Sequence, residues 1–227
     1  MSHVIENKIN KLLVTMGLKV DEAVSQSITA LLRSNSHMVA GVMENAVAVQ
    51  ELEIAIDQAV FSALEQGDLL AAKAQQLIAV NKDLAKLGKL AANLGRKVTE
   101  VGKHHENEDF SKLQPLAIAV SHLCRQTLRS LARLDPVLAR NAAAGGASID
   151  AYRDYVLRGL SLKAGRQEPV TDENDLHIVF ASRCLEQIAD HAMHLAENLV
   201  TFLEGAAKQG KSVQSEAEHE KSKAVSC

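Results

Sequence analysis

Apolar residues recur along the chain at alternating steps of three and four. One run is Leu77, Val80, Leu84, Leu87, Ala91, Leu94, Val98 and Val101, and another is Leu185, Ile188, Ala192, Leu195, Leu199 and Phe202. Each run lays a single apolar stripe on a helix, the seam of an antiparallel bundle. Weaker forms of the pattern fill residues 4–33, 36–65, 110–134 and 136–162, so six long helices in two sets of three are predicted. The breaks carry turn chemistry at Ser34-Asn35-Ser36, Gln66-Gly67-Asp68, Leu134-Asp135-Pro136 and Lys163-Ala164-Gly165. Gly102 through Asp109 is polar and includes His104 and His105, which as neighbours in a linker read as solvated loop residues. The predicted halves are therefore residues 1–102 and 110–205. Residues 206–227 are Lys-, Glu- and Ser-rich and lack a seam, which predicts a tail without fixed structure.

The halves also resemble each other. A shift of about one hundred positions sets Ile28 to Ser36 against Leu128 to Pro136, pairing Leu31 with Leu131 and Arg33 with Arg133. One further residue of shift sets Leu84 to Ala91 against Leu185 to Ala192. A duplicated three-helix unit follows.

Composition sharpens this picture. Apolar residues make up 47% of the chain, yet aromatics only 3% with no Trp, a core of Leu, Ile, Val and Ala that suits packed helices. Three prolines leave long stretches free for helix. A net charge of -3 with scattered Lys and Arg argues against a nucleic-acid partner. No window approaches the roughly 20 apolar residues of a membrane span, and Met1 to Asn7 lacks a signal-peptide layout, so a cytoplasmic protein without membrane insertion is expected. Cys124, Cys184 and Cys227 show no metal-ligand spacing and read as reduced thiols.

One row of side chains suggests chemistry. Glu186, Asp190 and His194 are spaced i, i+4, i+8 at the edge of the last seam, and could bind a divalent cation if a neighbouring helix supplied further oxygens. Asp150 and Asp154 of the preceding helix are the candidates. The alternatives are a solvated polar face for the row, and helix-start acids after Gly145-Gly146 for the two aspartates. No Gly-x-Ser-x-Gly elbow, phosphate loop or His-Glu-x-x-His pair occurs, so an enzyme is not expected.

The stretch Leu176 to Glu197, with Arg183-Cys184-Leu185-Glu186-Gln187-Ile188-Ala189-Asp190-His191-Ala192 at its centre, resembles the C-terminal repeat of the PhoU family. Met16-Gly17, Leu52 to Asp57 and Ile149 to Tyr152 look like family positions too. The resemblance implies an all-α fold of two tandem three-helix bundles with pseudo-twofold symmetry. It implies one metal-holding acidic motif per repeat, for a divalent or iron-type ion. It also implies a role in repressing the phosphate-starvation response, through the ATPase subunit of a phosphate ABC transporter, a phosphate-sensing histidine kinase, or both. A homodimer is a separate expectation, on which the resemblance does not bear.

The departures from the family pattern are specific. Ala85 and Lys89 replace the acids of the first repeat, and Ala147 replaces an acid before Asp150. Metal is then expected only in the second repeat, on Glu186, Asp190, Asp150 and His194. In the first, the resemblance sets Lys89 to face Glu53 and put an ammonium where the metal would stand, the alternative being that Lys89 points to solvent. The leading expectation is a PhoU-like regulator of phosphate transport and signalling. The alternatives are a helical metal-binding or storage protein with a carboxylate-rich site, and a purely structural adaptor.

Overall fold

The predicted turns form from the residue types that punctuate helices. Helix α1 (Ser2–Leu32) stops where Ser34 takes a φ of 47°, and the Asn35 side chain accepts from the His37 amide at 3.0 Å. The 3-10 turn so capped, Ser36–Met38, leads into α2 (Val39–Glu65). Beyond α2, Gly67 has a φ of 72°, a left-handed conformation that glycine adopts without steric cost. Helix α3 spans Ala71–Gly102, and the 3-10 turn Ser111–Leu113 opens α4 (Gln114–Arg133) with Pro115 in its first turn. Leu134 ends α4 in the left-handed region. Asp135 then caps α5 (Pro136–Ala143), accepting from the Val137 and Leu138 amides at 2.8 and 3.2 Å. Helix α6 spans Glu173–Val225.

The protein is represented by a computed structural model that describes residues 2–102, 110–146, 149–152, 154–155, 158 and 173–225; at 2–3, 101–102, 173–175 and 206–225 only the backbone is described. All elements described are helical. The expected linker histidines His104 and His105 and the turn at Lys163-Ala164-Gly165 lie outside the described residues. The fifth helix differs from its expected continuous span of 136–162: it halts at Ala143 for a turn at Ala144-Gly145, and the described residues beyond it, 146, 149–152, 154–155 and 158, are helical again. Glycine weakens a helix by about 1 kcal/mol relative to alanine, so Gly145 favours the break. At the other end of the half, α6 runs on as helix past Gly205, where its apolar seam ends and the Lys-, Glu- and Ser-rich stretch begins.

Helices α1, α2 and α3 pack on one another as one bundle, and α4, α5 and α6 as the second. The seams predicted from sequence are buried: Leu77, Val80, Leu84, Leu87, Ala91 and Leu94 in α3, and Leu185, Ile188, Ala192, Leu195 and Leu199 in α6. Gly88 lets α3 approach α2 closely, since a Cβ there would stand 2.8 Å from Val49 Cγ1.

The bundles are joined by like elements. Helix α1 packs on α4, and α3 on α6, so one apolar core runs through both halves. Along α3 and α6, Lys73 meets Phe202, Gln76 meets Gly205, and Asp83 meets His194, an antiparallel pairing. Gly17 against Leu128 and Asp21 near Arg125 give the same sense to α1 and α4. Antiparallel pairing of α1 and of α3 with their own counterparts is what a pseudo-twofold axis running across those helices produces.

Candidate functional site

Three groups of polar side chains sit on these helices. The first lies between α2 and α3 in the first half. Glu53 and Asp57 are one helical turn apart on α2, so their carboxylates share a face. Lys82 of α3 reaches both, with Nζ 3.0 Å from Glu53 Oε1 and 2.7 Å from Asp57 Oδ2, and Lys89 Nζ lies 3.4 Å from Glu53 Oε2. Asn81, fully buried, donates to the Glu53 carbonyl oxygen at 3.0 Å and to Asp57 Oδ1 at 2.8 Å. Hydrogen bonds to Asp57 and then Glu53 hold the Lys82 ammonium above its ordinary pKa. The expected pairing of Lys89 with Glu53 is present. Lys82 was not anticipated, although its place one turn ahead of Ala85 and two turns ahead of Lys89 was the available signal. Ala85 itself is buried, so an acid restored there would enter the core rather than the carboxylate cluster's open side. Two ammonium groups already balance the two carboxylates, and this donor set does not fit a metal cation.

The second group is the row predicted on the last helix, and its members do not converge. Glu186, with a side chain 12% exposed, accepts from Arg183 Nη1 at 3.4 Å. Asp190 and Asp150 are exposed. His194 turns to the opposite half, where Asp83 Oδ1 accepts from its Nδ1 at 2.9 Å. The separation explains this: eight residues of helix rise about 12 Å, whereas cation–ligand bonds are about 2.0–2.6 Å long. As placed, Glu186 and His194 turn to different partners and do not meet at one point. Among the described residues no three His, Cys, Asp or Glu side chains are gathered so as to hold a metal. The residues of the second half, as placed, do not fit one either.

The third group, at the contact of α3 with α6, was not foreseen. Asp83 is almost buried; besides His194 it accepts from Asn198 Nδ2 at 2.6 Å. Beside it, the His191 Nδ1 is buried without a hydrogen-bond partner among the described residues. Burial pushes the His191 imidazole below its ordinary pKa; Lys86 and His194 push the same way, while Asp83 and Asp190 oppose. Farther along, the Lys73 ammonium stands 4.0 Å from the centre of the Phe202 ring, and burial lowers its pKa against the pull of Glu6. These contacts tie the halves together in a fixed register. By the internal alignment the counterparts of Asp83 and His194 are Cys184 and Asn93, so the tie occurs on one side of the pseudo-twofold relation only.

No helix among the described residues is long and apolar enough to cross a membrane. Arranged this way, the charged groups offer ion pairing and inter-helix positioning; none forms a nucleophile with its base.

The family model described as "PhoU domain" matches residues 13–98 and 116–199, one stretch in each half. A phosphate-specific transport system accessory protein PhoU homolog of Pseudomonas putida is 25% identical over 197 residues, covering 85% of this chain and 77% of that protein. The phosphate-specific transport system accessory protein PhoU of Escherichia coli K12 is 24% identical over 200 residues, 85% and 80% of the two chains. Among solved structures, PhoU from Pseudomonas aeruginosa has a TM-score of 0.80 at 22% identity, covering 90% of this chain and 100% of that one. The phosphate transport system regulatory protein PhoU from Streptococcus pneumoniae gives 0.76 at 18% identity, covering 90% and 97%. These two likenesses establish the fold.

Proposed function

The chain belongs to the PhoU domain family, and from that premise we propose that it regulates phosphate transport and the phosphate-starvation response by protein–protein contact. The observation that carries this reading is the match of the family model to both halves, 13–98 and 116–199, together with relatives named as phosphate-specific transport accessory proteins that it covers over most of their length. The partners in this reading are the ATPase subunit of a phosphate ABC importer, a phosphate-sensing histidine kinase, or both, which places the protein in the cytoplasm. It acts by binding, without turnover of its own.

Metal is not part of the reading. The acids of the first half are balanced by Lys82 and Lys89, and those of the second are dispersed. A metal-storage role has no observation in its favour.

The test is deletion of the gene in its host, with a phosphate-starvation reporter and phosphate uptake measured at high and low phosphate. The expected result is altered reporter output or uptake, restored by the full chain, while the purified protein turns over neither phosphate esters nor nucleotides. Reporters and uptake unchanged at both phosphate levels would overturn it.

A further inference from the structure

Helix α2 buries Val42, Val49, Ile56 and Val60 against α1 and α3. Its outer face has a repeat of its own. Val47, Ile54 and Phe61 are 54%, 58% and 53% exposed, and Ala40, also exposed, stands one heptad earlier. Four residues after each comes a polar side chain, Glu44, Glu51, Gln58 and Glu65, all exposed. At about 100° per residue the eight side chains fall within roughly 100° of the helix circumference, an apolar line with an acidic line beside it. Large apolar residues singly exposed need no explanation, but three at seven-residue intervals on one outward face form the seam that another helix would complete.

The acids point to what that helix is. Glu53 and Asp57, on the neighbouring face of α2, are taken up by Lys82 and Lys89. The side chains of Glu44, Glu51 and Glu65 have no ion pair or hydrogen bond among the described residues. A second copy offering the same face would bring like charges together, and an anionic lipid surface would be repelled. We propose that this face of α2 is the docking site for an amphipathic helix of another protein, with aliphatic residues at seven-residue intervals flanked by Lys or Arg. The apolar line drifts by about 20° per heptad, which a left-handed crossing of the two helices follows. The inference gives a surface to the contact proposed above, and rests on that reading only for the partner's being a component of phosphate transport or signalling.

The test uses the full chain in its host with a photo-crosslinking phenylalanine analogue at position 47, 54 or 61, and at Val137 of α5, 53% exposed, as the control. The expected result is one product with another protein from the three α2 positions and none from 137. Mass spectrometry should place the attachment in an amphipathic helix bearing Lys or Arg. Glu44→Lys with Glu51→Lys should lower the yield about tenfold, the size of effect that a fraction of interface residues produces, with an unchanged thermal melt showing that the fold is intact. Products joining two copies of the chain, products joining α2 to the chain's own residues 206–225, an attachment site without basic residues, or a yield indifferent to the charge reversals would each overturn the proposal. A partner of the stated chemistry from outside phosphate metabolism would uphold the surface and remove the regulatory reading. No product at all, with phosphate reporters still altered by gene deletion, would do the reverse.

Discussion

Replacing Lys89 by Glu should turn the first-half cluster from one that needs no cation into one that does. In the protein as it stands, Glu53 and Asp57 are 15% and 24% exposed and face two ammonium groups, at 3.4 Å for Lys89 and at 3.0 and 2.7 Å for Lys82. The ammonium groups are about half exposed, so measured surface pairs, about 0.2–1 kcal/mol each, set the scale rather than a low-dielectric Coulomb sum. Lys89→Ala should therefore cost about 0.2–1 kcal/mol. Lys89→Glu replaces an attraction by a repulsion of similar size and should cost about twice that, roughly 0.4–2 kcal/mol. For a chain of this length 1 kcal/mol moves Tm by about 2–4 °C, so a calorimetric scan resolves the series. Adding Mn2+ or Mg2+ should restore Tm in Lys89→Glu more than it raises Tm in the parent protein, and about 1 M NaCl, where the screening length is near 3 Å, should shrink the gap. A Lys89→Glu protein that melts with the parent and responds identically to divalent ions would refute the charge-balance account.

Two glycines should respond to alanine with opposite sign. Gly88→Ala should lower stability by about 0–2 kcal/mol, because its Cβ meets the stiff, buried Val49 and overpacking of about 1–3 kcal/mol outweighs a helix gain of about 1. Gly41→Ala meets only the amide end of the flexible Gln26 and should raise it by about 0.5–1 kcal/mol; denaturant titrations giving the reverse order would contradict the packing described. The His191 imidazole has a folded pKa below its unfolded one, so the unfolded chain binds more protons as pH falls through the ordinary imidazole value, and stability should drop there. His191→Gln should flatten the slope between pH 7.5 and 5.5, and an unaltered slope would show the shift to be absent. Burial pushes the Cys124 thiol up to about 12, so iodoacetamide at pH 8 should leave it intact until denaturant is added; alkylation in the folded protein at the rate of a free thiol would contradict its burial.

Helices whose seams repeat strictly were legible in the sequence, since Leu84, Leu94, Leu185 and Leu195 could be buried in only one way by a helix of that pitch. The turns at Asn35, Gly67 and Asp135 were legible because each depends on a local hydrogen bond or a single backbone angle. The break in the fifth helix was not legible because its apolar period carries on across the turn at Ala144-Gly145, beyond which the described residues are helical again. Glu53 facing Lys89 could be foreseen because an alignment sets both on adjacent helices of one bundle. Asp83 with His194 and Asn198 could not, since that meeting depends on how two bundles dock across more than a hundred residues. The outward line of Val47, Ile54 and Phe61 was hidden by its neighbours, because Val49, Ile56 and Val60 interleave with it and only the fold separates the two faces.

The pairing of α3 with α6 also bears on how the chain is made. Translation finishes α3 at Gly102, and Phe202, which receives the Lys73 ammonium, follows about one hundred residues later. At about 5–20 residues per second, the first bundle waits on the order of 5–20 s at the ribosome without the helix that covers Lys73, Gln76 and Asp83. During that interval the flank of α3 is bare, since α4, the next long helix made, packs on α1 instead. Ribosome-bound chains arrested before Ile178 should accordingly be more sensitive to protease than chains released at full length.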